Sequence, residues 1–408
     1  MKKIGRAWGL GLAFCLLAGG WGWTAEYYVA QKDPAADDQN PGTTEKPLKT
    51  LKAALPKMRA GDTLFVRAGV YREGMRLKGE AFSGTSVRPT LVQAWPGDEV
   101  IIKGSDVATG WKKHDGAIWV KEDWPPYPWV FCDGKPLEET GAIDHNVFCW
   151  STRKDKDKGL KDMKAGSFWY DAAAKKAYAW LEDGSDPNEH VMELTVPDRG
   201  IEADGNHLHI AGFKLIHAGI GLGGAYNIVV DCDVSWTTFL GIYVSGRNNT
   251  LLRCRSNHNG NSGGTVFGSG QRVEDCEFSF NNWQRWDSPE KGGTGHAGGM
   301  KNGCCDSIIR GCVFEGNIVS IGVWFDFDVT QVTIENCRCF HNDGCGIHYE
   351  IGERAIIQNN ICYENKDRGI YLCNAAYCLL AHNVCYRNGS SGIVVACPDR
   401  AGGMIGDD

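Results

Sequence analysis

From residue 200 onward, apolar and polar positions repeat with a period much longer than that of a helix or a single strand. A Gly opening a short apolar-polar alternation recurs at Gly219, Gly241, Gly264, Gly299, Gly322, Gly346, Gly369 and Gly392, in steps of 22, 23, 35, 23, 24, 23 and 23 residues. Each period carries a second short run, such as "VTIENC", "AIIQNN" or "CLLAHN". Helical spacing is missing, and Asn and Gly crowd the turns. One β coil of about 23 residues per repeat predicts an all-β chain wound as a right-handed parallel β-helix, a solenoid in which neighbouring coils share a core.

The same alignment predicts which side chains face in. The position after the Gly reads Ile220, Ile242, Thr265, Met300, Val323, Ile347, Ile370 and Ile393, and the third position includes Leu222, Val244, Phe267, Phe325, Tyr349, Leu372 and Val395. Both columns read as core, so strand alternation sends the second and fourth positions outward. The second position reads Gly221, Tyr243, Val266, Lys301, Trp324, His348, Tyr371 and Val394, and the fourth includes Gly223, Ser245, Gly268, Gly303, Asp326 and Glu350. Asp326 and Glu350 then stand on neighbouring coils, about 4.8 Å apart at the backbone, with Lys301, Trp324 and His348 about 7 Å along the strands. The one long step holds a loop carrying Trp283, Trp286, Asp287, Glu290, Lys291 and His296 that leads into Lys301. Long loops beside polar clusters on rigid scaffolds are common places for binding residues.

Upstream, the pattern predicts a strand at 27–30, an amphipathic helix at 48–58, a turn at Gly61-Asp62 and a strand at 63–67. The helix would cap the first coil, whose open edge otherwise leaves unpaired backbone. Between about 108 and 193 the pattern changes to dense Trp, Tyr and Pro, with "GSFWYDAAAKKAYAWL" reading as strand, turn and strand. The organisation expected is a signal peptide (1–25), cap and first coils (26–107), an inserted antiparallel β module (108–198) and the main solenoid (199–408). The module's aromatics are expected to form its own core. The chain stops at "CPDRAGGMIGDD", just after a strand and with no visible cap, which predicts a fragment or an end covered by another chain.

Composition refines this picture. Lys2, Lys3 and Arg6 before a short, Gly-rich apolar run predict a cleaved export signal, hence a secreted or periplasmic protein with no later membrane span. A net charge of -7 excludes a nucleic-acid-binding surface of the usual basic kind. Of the 17 Cys, Cys232, Cys254, Cys276, Cys312 and Cys337 share one repeat slot, continued by Asn360 and Asn383, while Cys339, Cys362 and Cys385 share another. Stacked columns point side chains the same way, which predicts buried free thiols rather than disulfides. Cys132 with Cys149 and the adjacent Cys304 and Cys305 are the possible exceptions.

Stacked carboxylates repel, so Asp326 and Glu350 must share a proton, bind a cation, or be offset by Lys301 or His348. As acid and nucleophile they suit glycoside hydrolysis. With Asp328 they offer a calcium site, so the cofactor is either none or calcium. Lys301 or His348 could act as base toward a uronic acid. Trp283, Trp286, His296, Trp324 and Tyr371 are the candidate sugar-binding residues. The plain alternative is a solvated ion-pair ladder on an exposed β face.

The opening segment, together with "GGMK", "WFDFD" and "HYEIG", resembles secreted right-handed β-helix proteins of the pectate-lyase-like superfamily over residues 26–408. The resemblance implies a polysaccharide substrate and, for the lyases, Lys301 as base beside a carboxylate-bound calcium. The chain departs from these families in having no aspartate cluster before the lysine and no arginine at the matching position of the next coil. Paired-aspartate, "GHG" and "RIK" motifs are also missing. The expectation is an exported lyase or glycoside hydrolase acting in an outward groove, or a non-catalytic glycan-binding solenoid with the same groove.

Overall fold

The computed structural model describes residues 24–124, 128–141, 158–286 and 297–397. The signal segment, Cys149, the loop at 287–296 with His296, and the last eleven residues lie outside this set. The described chain winds as a parallel β-helix. One face is an 11-stranded parallel sheet running from Glu26–Val29 to Leu379–Ala381. A second runs from Met75–Leu77 to Ile393–Ala396 and carries the outward columns named above. The third consists of two shorter stacks joined through single bridges, Arg255 to Glu277 and Glu277 to Val313. At the start, Thr50 caps a short helix, Leu51–Ala54, by accepting a hydrogen bond from the Ala53 N–H, and Leu51 and Ala54 are buried against the first coil.

The core column is Ile220, Ile242, Gly264, Met300, Val323, Ile347, Ile370 and Ile393. This corrects the predicted register in one coil: Gly263 takes the opening slot and Gly264, not Thr265, faces inward. The fully buried Phe278 fills the space, since a Cβ on Gly264 would lie 2.8 Å from its ring. Thr265 consequently joins the outward column between Tyr243 and Lys301, Val266 is core, and Phe267 faces out where Gly268 was expected. In the next coil the third position is Asn302, fully buried, whose amide donates to the Trp324 carbonyl at 3.2 Å.

Residues 105–195 interrupt the coils with two further sheets. Ser105–Val107, Met192–Thr195, Val130–Cys132 and Lys135–Pro136 pair antiparallel. Ser167–Asp171 and Lys176–Trp180 form the strand-turn-strand unit within a five-stranded sheet. Trp111, Trp129, Phe131 and Phe168 make this unit's own core. It is fixed to the solenoid by the buried Glu193, whose carboxylate meets Arg72 and Lys103 at 2.9 Å each, and by Phe131 stacked 3.8 Å from the His217 ring.

The cysteines of both columns are free thiols, as are Cys132, Cys304 and Cys305. Where the first column changes to asparagine, the Cys337 N–H donates to Asn360 Oδ1 at 2.9 Å and the Asn360 N–H to Asn383 Oδ1 at 3.0 Å. A longer ladder occupies one turn: Asn259, Asn281, Asn317, Asn342, Asn365 and Asn388 each bond the next through backbone N–H and Oδ1, at 2.9 to 3.2 Å. Asn281 and Asn342 are fully buried at this turn. Replacing Asn317 by Ala would orphan the Asn281 N–H and leave the Phe278 carbonyl without its 3.1 Å donor. Asn317→Ala is expected to lower stability by about 2–4 kcal/mol, read as a fall in urea midpoint at unchanged slope.

Candidate functional site

Strand register brings Lys301, Trp324, His348 and Tyr371 into one line across four strands. Because parallel coils superimpose equivalent side chains, these four pile face to face. The Lys301 ammonium lies 3.0 Å from the centre of the Trp324 ring. Trp324 stacks on His348 at 5.5 Å and 9°, and His348 on Tyr371 at 4.7 Å and 22°. The Arg368 guanidinium covers the far side of Tyr371 at 4.4 Å. A cation thus closes each end of an aromatic pile. Burial, with Lys301 adding to it, pushes the His348 imidazole down to about 4, so the middle ring is neutral at pH 7.

The carboxylates flank this pile. Asp326 lies just beyond the Ile321–Phe325 strand, held by its N–H to the Asn302 carbonyl at 3.0 Å, and its Oδ2 accepts from Lys301 Nζ at 2.9 Å. Lys301 is only 5% exposed, so this is an ion pair shielded from water. Glu350, two residues after His348 on the Ile347–Glu353 strand, accepts from the Trp324 Nε1–H at 3.2 Å and has its Oε2 3.8 Å from His348 Nε2. Trp324 therefore holds Lys301 with its face and Glu350 with its edge.

Several expected ligands are placed otherwise. Trp324 is 8% exposed with Lys301 and His348 on its two faces, and Tyr371 lies between His348 and Arg368, so neither offers an open face to a sugar. Trp283 packs edge to face on Trp129 at 4.8 Å, in the contact with the inserted module. Trp286 is buried against Phe239 and bonded to Gln284. Asp326, Asp328 and Glu350 do not converge as a calcium set. Asp326 is taken up by Lys301, and Asp328 is exposed in the following turn. Among the described residues, the groups of metal-ligating atoms that do converge are His348, Glu350 and Cys373, and separately Cys132, Asp133 and His190.

Other residues join the site unannounced. Phe327 is 54% exposed beside Asp326 and holds a left-handed backbone, φ 73°, continued by Asp328 at 52°. Its ring lies 5.9 Å from Phe267, which lies 6.2 Å from Tyr243, forming an aromatic row over the bare backbone of Gly303. Opposite, a cavity of about 430 Å³ is lined by Trp324, His348, Tyr371, Arg368, Asp343 and Asp367. The missed signals were Phe267, hidden by the register slip, and Arg368, which sits before the repeat Gly and outside the strand columns.

The comparisons with known proteins agree with this architecture. The family model described as "Right handed beta helix region" matches residues 295–401. The chain is 17% identical to the structure described as the complex of XylC with xylose, with a TM-score of 0.62 over 86% of this chain and 69% of that one. The chain has the right-handed parallel β-helix fold. A 75-residue segment is 40% identical to the uncharacterized protein YwoF of Bacillus subtilis, and an 83-residue segment is 31% identical to pectate lyase PEL9 of Emericella nidulans. These matches span 18% and 20% of this β-helix chain and only 15% and 19% of the two relatives.

A His buried neutral makes stability fall with acid. The folded value near 4 lies below the ordinary 6.5, so the unfolded chain takes up the proton first and stability is lost as pH drops from about 6.5 towards 4. Between pH 7 and 5, His348 is expected to account for about 2 kcal/mol of this loss. His348→Phe, which keeps a stacking ring, should flatten the pH dependence of the urea midpoint by that amount.

Proposed function

We propose that this protein is an exported carbohydrate-active enzyme that hydrolyses glycosidic bonds, with Asp326 and Glu350 as its working carboxylates. The observation that carries the reading is the shielded Lys301–Asp326 pair. An ammonium bonded to a carboxylate at 2.9 Å and pressed on an indole at 3.0 Å is engaged on both sides and poorly placed to take a proton from a uronic acid. That argues against Lys301 as a lyase base. The same pair supports Asp326 as the charged partner, nucleophile or base, while Glu350, bonded by a neutral indole N–H, is suited to protonate the leaving oxygen. Trp324 bonds Glu350 directly and reaches Asp326 through Lys301, which restrains both groups before substrate arrives.

Phe327, Phe267 and Tyr243 supply the apolar faces against which a sugar ring stacks. The basic, apolar amino terminus supports export, and among the described residues no helix is long and apolar enough to cross a membrane. The sugar bound by XylC, a structure similar in fold, makes neutral glycans the first to try alongside uronates.

The test is incubation with a panel of polysaccharides and oligosaccharides, following reducing ends and the absorbance of unsaturated products. Asp326→Asn and Glu350→Gln are each expected to reduce the release of reducing ends by roughly 10²–10⁴-fold, with no unsaturated product from any variant. Unsaturated product that disappears in Lys301→Met would establish a lyase instead. Tight glycan binding with no turnover would establish a binding protein. Phe327→Ala, at an exposed position, should keep the wild-type melting temperature within a degree or two while raising KM several-fold, about 1 kcal/mol of lost stacking.

A further inference from the structure

We propose that His348, Glu350 and Cys373 form a binding site for a divalent cation of the zinc class, overlapping the carboxylate pair and blocking it when filled. The site goes beyond the hydrolase reading, and only its inhibitory consequence rests on that reading.

Register assembles the donors. His348 and Glu350 are two residues apart on the outward side of one strand, and Cys373 is the direct partner of Glu350 on the next. One ligand atom from each lies within 4.8 Å of the other two, and His348 Nε2 is 3.8 Å from Glu350 Oε2. Tetrahedral zinc with bonds near 2.0–2.3 Å needs donor separations of about 3.3–3.8 Å, so modest side-chain closure completes the set. An imidazole nitrogen, a carboxylate oxygen and a thiol sulfur are the donors that select zinc over calcium, which asks for six to eight oxygens.

A second, independent observation concerns the imidazole. Neither His348 nitrogen has a hydrogen-bond partner, although the side chain is only 12% exposed. Buried polar atoms are nearly always bonded, and an orphaned neutral imidazole beside a carboxylate and a thiol is an available ligand. An outer contact suits the role as well. The Trp324 N–H orients the Glu350 carboxylate. The cavity lined by His348 and Tyr371 offers space for a water as fourth ligand. Binding exchanges the thiol proton for the metal: the S–H bond breaks, a sulfur–zinc bond forms, and the proton leaves to buffer. A carboxylate so bound no longer donates a proton to a leaving group.

The test is calorimetric titration of the reduced protein with zinc chloride, with melting temperature as a second readout. One equivalent is expected to bind at micromolar affinity or tighter and to raise the melting temperature, while calcium chloride at the same concentration gives no heat. Cys373→Ser and His348→Phe should each weaken zinc by at least about tenfold. His190→Ala, in the Cys132–Asp133–His190 group, should leave it unchanged. No zinc heat, undiminished affinity in Cys373→Ser, or loss in His190→Ala would overturn the site. In the reducing-end assay, Cys373→Ser should keep its turnover and escape zinc inhibition; bound zinc that leaves wild-type turnover intact would overturn the overlap. The titration needs no activity, so it decides the site even if the hydrolase reading fails.

Discussion

Parallel stacking in register is the constraint on which everything else in this molecule rests. Each side chain stands one strand spacing from its counterpart in the next coil, about 4.8 Å, too close for unlike or like-charged groups to ignore one another. Asparagine satisfies the constraint by bonding its own copy, as from Asn259 to Asn388. Cysteine satisfies it by being small and apolar. At the candidate site the same rule forces Lys301, Trp324, His348 and Tyr371 into a pile, and chemistry then decides which residues can share one.

That pile is electrostatically ordered. With a cation over each outer ring, the middle ring has to be neutral, and the depressed pKa of His348 meets that condition. The negative charge of Asp326 is absorbed by Lys301 at one end, and that of Asp367 by Arg368 at 2.7 Å at the other. Glu350 accepts a hydrogen bond from the indole edge. Two carboxylates on adjacent coils thereby acquire different surroundings from nothing more than the order of residues along an outward column.

The architecture was legible because glycine and apolar spacing repeat with every coil, and repetition averages out local ambiguity. The single slip came at Gly263-Gly264, where two glycines offer equal starting points and the core residue has no side chain to declare itself; only Phe278, from another face of the coil, marks the true register. Lys301, His348 and Glu350 were legible as neighbours because strand register fixes them, and Asp326 because it directly follows the strand that carries Trp324. Trp283 and Trp286 were not, since their surroundings are built from the inserted module and distant coils, which no column predicts. Trp324 was read as an open ring because a sequence shows which side a residue faces, not what covers it.

The cysteine columns give the fold a time limit. Folded, the thiols of Cys232, Cys254, Cys276, Cys312 and Cys337 are sealed in the core, and the stacked geometry leaves them reduced. Unfolded in an oxidising compartment, the same thiols are accessible and open to exchange, and any bridge between coils out of register would have to be undone before stacking could proceed. In such a compartment coil-by-coil growth has to outrun oxidation, and the rate at which the solenoid winds becomes a condition for its being made.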